Sequence, residues 1–351
     1  MTIRLQRRPP AVLFVPGSAP DASFVAADRA ALQARVRIVE VTPRPGLGQA
    51  AFVARLGRAL VRERPARAVV WFAAATYGAA TLAACRLAGV PCLVIAGGMD
   101  VADCPEIGFG DARGGWRRSA SRWVLEQAAL VWAFSESARR EIAARARPRA
   151  VAVVPPAVDT TWFQPAAAPV ARERLVLSTC AAIGGVAIAQ KGLDRLVRAA
   201  AALHDVPVVI TGALRDTERD VQAFVASAPA NVSFVGHVTR EALRDLYARA
   251  AVVAQLSRHE GFGVAAAEAA AMGCALVTTE LPVFAEVLGA ARTVVPLAAA
   301  DGEVAAALRL ALAAEHSPPR WADIDRRYGV AVRTAAWDAW LTREGLCQEA
   351  R

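Results

Sequence analysis

Two carboxylates stand out by their spacing and setting. Glu260 and Glu268 enclose Gly261-Phe262-Gly263-Val264-Ala265-Ala266-Ala267. The segment follows an apolar run, Ala251 to Leu256, and opens a helix-forming stretch. Glycines at such a strand-to-helix loop let a ligand approach the backbone and leave the first helical N–H groups available. Those amides, with the positive end of the helix dipole, suit a phosphate. Glu260 falls just before the loop and Glu268 within the first turns of the helix. Both can therefore border one site and accept hydrogen bonds from sugar or ribose hydroxyls. A capping carboxylate beside a surface glutamate would give the same spacing; the intervening Gly-Phe-Gly favours the site.

The ammonium comes from Lys191, the only lysine in the chain; every other basic residue of this type is arginine. It lies in Gln190-Lys191-Gly192-Leu193-Asp194, with Gly184-Gly185 just upstream. A compact charge on a flexible stem can neutralise a diphosphate leaving group. The alternative is a solvated lysine at a helix start, a position mildly unfavourable to the dipole.

These residues need elements to hold them. Runs rich in Val, Ile and Leu predict strands near 11–15, 36–41, 68–73, 91–96, 129–134 and 151–154. A second set falls near 174–178, 206–211, 231–235, 251–256, 274–278 and 292–296. Continuous apolar runs fit parallel strands covered on both faces, and their alternation with helical stretches implies α/β sheets. Leu193, Leu196, Val197, Ala200 and Leu203 recur at helical spacing, and Trp337, Trp340 and Leu341 mark a last helix. Pro155-Pro156 and the segment Gln164 to Pro169 separate the two sets as a linker. The chain reads as two Rossmann-like domains, and the cleft between two such domains is the expected site.

Composition bounds the rest. The 351 residues are 55% hydrophobic, which excludes global disorder. The formal charge of +9 suggests anionic partners, but it is scattered and follows an arginine-rich habit. No nucleic-acid motif accompanies it, so a nucleic-acid partner is not expected. The six cysteines (Cys85, Cys92, Cys104, Cys180, Cys274, Cys347) lack paired spacing, which points away from disulfides and metal. Ala68 to Cys85 is an uncharged run of 18, read as a buried strand and helix rather than a membrane span. The N-terminal apolar run ends at Pro16-Gly17, too short for a signal peptide. A cytoplasmic protein is expected.

Lys191-Gly192-Leu193-Asp194, Val232-Ser233-Phe234-Val235-Gly236-His237-Val238 and Ser257-Arg258-His259-Glu260 through Glu268, continuing to Val277, together resemble glycosyltransferase family 4 of GT-B fold. The glutamates match that family's E-x7-E pattern. In the first half, Val131 to Ser137 and Val151 to Phe163 are similar to family segments. Gly97-Gly98-Met99-Asp100-Val101 with Pro105-Glu106 resembles a subgroup with a GGxDV…PE pattern.

The resemblance implies a retaining glycosyltransferase, metal-independent and without a cofactor, using a UDP- or GDP-sugar. Its acceptor domain would be 1–160, its donor domain 161–329, and 330–351 would carry a helix crossing back to the first domain. Lys191 and Glu260 are its catalytic candidates: Lys191 on the donor phosphates, Glu260 on the transferred sugar. Glu268 would bind the ribose. Gly184, Gly185 and the Gly261, Phe262, Gly263, Val264 loop would line the donor site, and backbone at Gly236, His237 and Val238 would hold the base.

Departures from the family pattern are visible. Relatives carry an arginine in the loop before the lysine; here Ser178 to Gly185 contains none, so Arg195, Arg258 or a first-domain arginine would have to substitute. Gly97 stands where a histidine is common. Gly17, Gly98, Asp100, Asp103 and Glu106 are the acceptor-side candidates, although loop carboxylates also serve as caps. The acceptor would be a glycan, a lipid-linked molecule or a small molecule. Trp116 and Trp123, among Arg113, Arg117, Arg118 and Arg122, fit either a peripheral contact with an anionic membrane or a helix packed through arginine stems. A nucleotide- or glycan-binding relative without turnover, and a nucleotide-sugar epimerase, are the alternative functions.

Overall fold

Short Val- and Leu-rich runs form the two sheets that organise the chain, as seen in a computed structural model describing residues 10–17, 20–43, 48–71, 75–166, 171–314 and 318–346. The first unit contains β1 (Ala11–Val15), α1 (Ser23–Gln33), β2 (Arg37–Glu40), α2 (Gln49–Glu63), β3 (Arg67–Trp71) and α3 (Ala75–Leu87). It continues with β4 (Cys92–Ala96), α4 (Gly115–Gln127), β5 (Leu130–Ala133), α5 (Glu136–Arg145) and β6 (Val151–Val153). Its strands are all parallel, in the order β2-β1-β3-β4-β5-β6. β1 and β4 are buried along their whole length, because helices cover both faces of a parallel sheet.

The second unit contains β7 (Glu173–Ile183), α6 (Gly185–Gln190), α7 (Leu193–Ala200), β8 (Val208–Leu214), α8 (Arg219–Ala226), β9 (Val232–Gly236) and α9 (Arg240–Arg249). β10 (Ala250–Gln255), α10 (Val264–Ala271), β11 (Ala275–Thr279), α11 (Pro282–Leu288), β12 (Thr293–Val295), α12 (Asp301–Ala313) and α13 (Trp321–Tyr328) complete it. The sheet is again parallel, in the order β12-β11-β10-β7-β8-β9. Its core includes Val176, Leu193, Leu196, Val208, Ile210, Val252, Val277 and Leu308. Leu193 and Leu196 bring the apolar face of α7 into that core, as their spacing predicts.

β7 runs to Ile183, further than the 174–178 expected from sequence. Ala182 and Ile183 pair with Ala213 and Leu214 of β8 after a register shift. Ser178 to Ile183 is therefore strand, and the loop begins only at Gly184.

The last helix, α14 (Val330–Arg343), belongs with the first sheet from Ala331 onward. Arg333 donates to Asp28 of α1 through Nε at 2.8 Å and Nη2 at 2.6 Å, and Trp337 Nε1 reaches the same carboxylate at 2.7 Å. Arg333 also caps the Val154 carbonyl at 2.8 Å and lies over the Trp132 ring. Asp28 is fully buried and Arg333 nearly so. Ionised groups withdrawn from water this far need partners on every side, which this cluster supplies.

The first unit comprises Met1–Asp103, Gly110–Ala157 and Ala331–Arg351; the second comprises Cys104–Phe109 and Val158–Val330. The excursion Cys104–Phe109 is closed by an antiparallel bridge between its ends, and the Phe109 ring lies tilted against His259 with centroids 5.5 Å apart. Among the described residues, no helix is long and apolar enough to cross a membrane.

Candidate active site

In the second sheet, β7 and β10 are neighbours from which the chain proceeds in opposite directions. The loops after such a pair open a crevice at the carboxyl ends of the strands. The connection from β7 to α7 carries Lys191, at the end of α6, and the loop after β10 carries Glu260. Lys191 Nζ donates to Glu260 Oε1 at 2.6 Å across 69 residues of sequence. Both side chains are largely shielded, at 25% and 10% exposure.

Lys191 does not open a helix. It is the C-cap of the short α6, where a cation is favourable for the dipole. Gly192 follows with φ +66°, and a Cβ there would lie 1.9 Å from the Leu256 carbonyl oxygen. Only glycine lets the start of α7 approach the end of β10 so closely. The two loops are then stitched together. Arg258 N–H donates to the Gln190 carbonyl at 2.9 Å, and Gln190 Nε2 to the His259 carbonyl at 2.8 Å. Arg258 grips both Asp194 oxygens at 2.8 Å. Burial opposes ionisation of Asp194, but Arg258 and Arg198 outweigh it and hold its carboxyl below the ordinary value.

Glu260 receives further donors on the same Oε1. Ser257 Oγ lies at 3.0 Å and Gln255 Nε2 at 3.5 Å. Ser257 is fully buried, and its carbonyl accepts from Thr279 Oγ1 at 2.6 Å.

α10 begins after Gly263, whose φ of +88° ends the Gly261–Gly263 turn and whose missing side chain makes room for Phe284. Phe262 is buried edge-on against Tyr328. Helix geometry leaves the first N–H groups of α10, starting with Val264, outside its own ladder. Glu268 lies one turn further and is only 7% exposed. Burial pushes its carboxyl up to about 8, while the Tyr247 hydroxyl and the charge of Arg240 pull against the rise and Asp159 adds to it. Tyr247 Oη donates to Glu268 Oε2 at 3.2 Å. Arg240 itself pairs with Asp159 at 2.6 Å.

Other candidates are placed less centrally. The Gly185 amide donates to Glu218 Oε2 at 3.0 Å, and a side chain at Gly184 would press on Arg215. An anion at this loop would therefore have to displace a carboxylate. Gly236 ends the edge strand β9 with φ +73°; His237 is exposed and Val238 half-buried ahead of the Thr239 cap of α9. Two of the arginines that could substitute for the missing cation are engaged elsewhere. Arg258 holds Asp194, and buried Arg195 donates to the Pro296 carbonyl at 2.9 Å. Cys180, in the stretch where relatives have arginine, is a neutral thiol: burial pushes it up to about 11 against the pull of Lys191.

In the first unit, Gly17 is buried with φ +73° at the end of β1. Asp100 is 1% exposed and turned inward, its two oxygens accepting from the Gly98 amide at 2.9 Å and the Gly97 amide at 3.1 Å. Burial raises it to about 6 despite those amides, with Asp111 adding to the rise. It shapes the loop as a cap does, whereas Asp103 and Glu106 are exposed. On α4, Trp116 is 60% exposed beside Arg117, and Trp123 is half-buried.

Sequence reasoning missed Tyr247, Ser257 and the Arg258–Asp194 clasp. Ser257 stands three residues before Glu260, a distance a tight turn closes. Nothing local ties Tyr247 to Glu268, since strand β10 intervenes.

With this geometry in view, comparison with known proteins is informative. The Glycosyl transferase 4-like domain matches residues 4–157, and the Glycosyl transferases group 1 family matches residues 182–327. A D-inositol 3-phosphate glycosyltransferase of Mycolicibacterium gilvum is 34% identical over 187 residues. That stretch is 50% of this chain and 38% of the relative, so the match spans well under half of the relative's length. Among solved structures, HepE of Anabaena in complex with UDP-glucose superposes with a TM-score of 0.72 at 16% identity, over 95% of this chain and 99% of that one. Sucrose-phosphate synthase from Thermosynechococcus elongatus superposes with a TM-score of 0.72 at 17% identity, over 96% and 98%. At such identities the likeness is one of fold. The two units define a GT-B protein. The chain belongs to the family-4 glycosyltransferases.

Proposed function

We propose that the chain transfers a sugar from a nucleotide-sugar donor to an acceptor hydroxyl with retention of anomeric configuration. The Lys191–Glu260 pair carries this reading: a cation and a carboxylate held 2.6 Å apart, at the switch point of a parallel sheet, beside the open end of α10. Lys191 exchanges Glu260 for the donor diphosphate, aided by the first amides of the Gly261–Val264 loop. Glu260 then accepts from a hydroxyl of the transferred sugar, and Glu268 from the ribose. Backbone at Gly236–Val238 holds the base.

The bond from the sugar C1 to the phosphate oxygen breaks toward an oxocarbenium-like state, and the diphosphate leaves with the electron pair. The acceptor oxygen bonds to C1 on the face the diphosphate vacates, and the leaving phosphate takes the acceptor proton. The protein contributes position and charge stabilisation, and neither a metal nor a protein base is required. Lys191 is the cation that the described donor loop offers, which makes it the residue on which donor binding depends most. The donor is a UDP- or GDP-sugar, and a glycan, a lipid-linked molecule or a small molecule is the acceptor. The enzyme would act in the cytoplasm.

A thermal-shift panel of UDP, GDP and their sugars tests the reading, with Lys191→Ala and Glu268→Ala alongside wild type. A ligand at 100 times its dissociation constant adds roughly 2.7 kcal/mol to a folded state that alone binds it. A selective shift in wild type, weakened in both variants, is expected. No shift with any member of the panel in folded protein would refute the donor assignment and favour a relative that has lost its donor.

A further inference from the structure

Glu260 is held asymmetrically. Lys191 Nζ, Ser257 Oγ and, at the limit of bonding distance, Gln255 Nε2 all converge on its Oε1. No described residue donates to Oε2. Lys191 is a long, mobile anchor whose charge the donor phosphate would claim. Ser257 is different. It is fully buried, sits on a strand end fixed by Thr279, and has no better partner than Glu260. When Lys191 turns to a phosphate, Ser257 is the donor that stays.

We propose that Ser257 is a positioning residue that pins Glu260 Oε1, so that Oε2 is presented to one hydroxyl of the transferred sugar. This deepens the donor-site reading and rests on it. A carboxylate free to rotate offers either oxygen in many directions, whereas one pinned by a buried hydroxyl presents its second oxygen in a single direction. A site built to accept from a particular hydroxyl discriminates strongly against sugars that lack it. The same fixed negative oxygen disfavours a sugar bearing a carboxylate in that place. The donor class is accordingly a neutral, hydroxylated sugar.

Gln255 provides the control. It is 1% exposed, approaches Ser257 Oγ at only 3.4 Å, and its Oε1 has no hydrogen-bond partner. Its Nε2 reaches Glu260 Oε1 only at 3.5 Å, so it belongs to the same buried network as the weaker donor.

The test is calorimetric binding of UDP, UDP-glucose, GDP and GDP-mannose to wild type, Ser257→Ala and Gln255→Leu. The quantity read is the sugar increment, the ratio of affinities for a nucleotide sugar and its nucleoside diphosphate. Ser257→Ala should lower the increment roughly five- to tenfold, the scale of one hydrogen bond, while leaving the diphosphate affinity within about twofold. Gln255→Leu should keep the increment within about twofold of wild type. An unchanged increment in Ser257→Ala overturns the assignment. An equal loss in Gln255→Leu also overturns it, because the carboxylate would then be held by the buried network as a whole and not by Ser257. Failure of wild type to bind any of the four ligands would instead sink the donor-site reading, and this inference with it.

Discussion

Replacing Glu268 by glutamine keeps the shape of the side chain and an acceptor for Tyr247, but removes the ionisation. Burial raises the native carboxyl to about 8, against an ordinary value of 4.5. The folded-state value is raised, so the native protein holds a proton that the unfolded chain releases between those two values. Stability therefore falls as pH rises from 4.5 to 8, by about 1.4 kcal/mol per unit, and is lower by up to about 5 kcal/mol once pH passes 8. Other titrating groups cancel when wild type is compared with Glu268→Gln. The variant should thus gain on wild type by up to about 4 kcal/mol between pH 5 and pH 8.5. The assay is paired: denaturant unfolding of the full chain followed at both pH values, and a carbon-13 titration of the glutamate carboxyls that identifies the resonance missing from the variant. A midpoint near 8 is expected. A midpoint at or below 5, or a stability difference flat in pH, would refute the claim that burial governs this carboxyl with Tyr247 as its direct partner and Arg240 taken by Asp159. Under the proposed function, ribose hydroxyls select the ionised form. That form is about 1% of the protein at pH 6 and about 90% at pH 9, so diphosphate affinity should rise steeply across this range with release of a proton.

Three further outcomes follow from the geometry. Gly192→Ala places a Cβ against the Leu256 carbonyl at a left-handed φ, and should cost more than about 3 kcal/mol in equilibrium unfolding. Arg258→Lys keeps the charge but cannot hold both oxygens of Asp194; a loss of roughly 1–2 kcal/mol is expected, and full retention of stability would show that the clasp contributes little. Asp28→Ala or Arg333→Met should each cost about 3–5 kcal/mol, with the double variant recovering part of the loss, because a lone buried charge is worse than none. Additive losses in the double variant would contradict that account.

Much of this molecule can be read from its residues alone. Val131-Trp132 and Val252-Val253 predict buried parallel strands because continuous apolar runs fit nothing else at that length. The Glu260-to-Glu268 loop is legible for the same local reason, strand then glycine then helix. Thr179-Cys180-Ala181-Ala182 misleads: small and polar residues look like loop, and only pairing with β8 makes them strand. Lys191 looks like a helix opener because Leu193 begins a periodic pattern, while the preceding α6 has only six residues and no periodicity to reveal it. The partners of the site residues depend on topology. Nothing in the neighbourhood of Lys191 announces Glu260, nor does Glu268 announce Tyr247. They meet because β7 and β10 are adjacent and α9 runs into β10.

The cluster around Asp28 also fixes an order of events during synthesis. Asp28 is made 305 residues before the arginine that neutralises it. The second sheet, continuous from β7 to β12, is translated in full before Arg333 is. The first sheet has all six strands early but waits for its last helix with an unmatched carboxylate in its interior. The N-terminal sheet therefore cannot complete its buried ion pair until the last helix has been made. A chain released without its last helix should keep an N-terminal sheet open to chaperones and proteases.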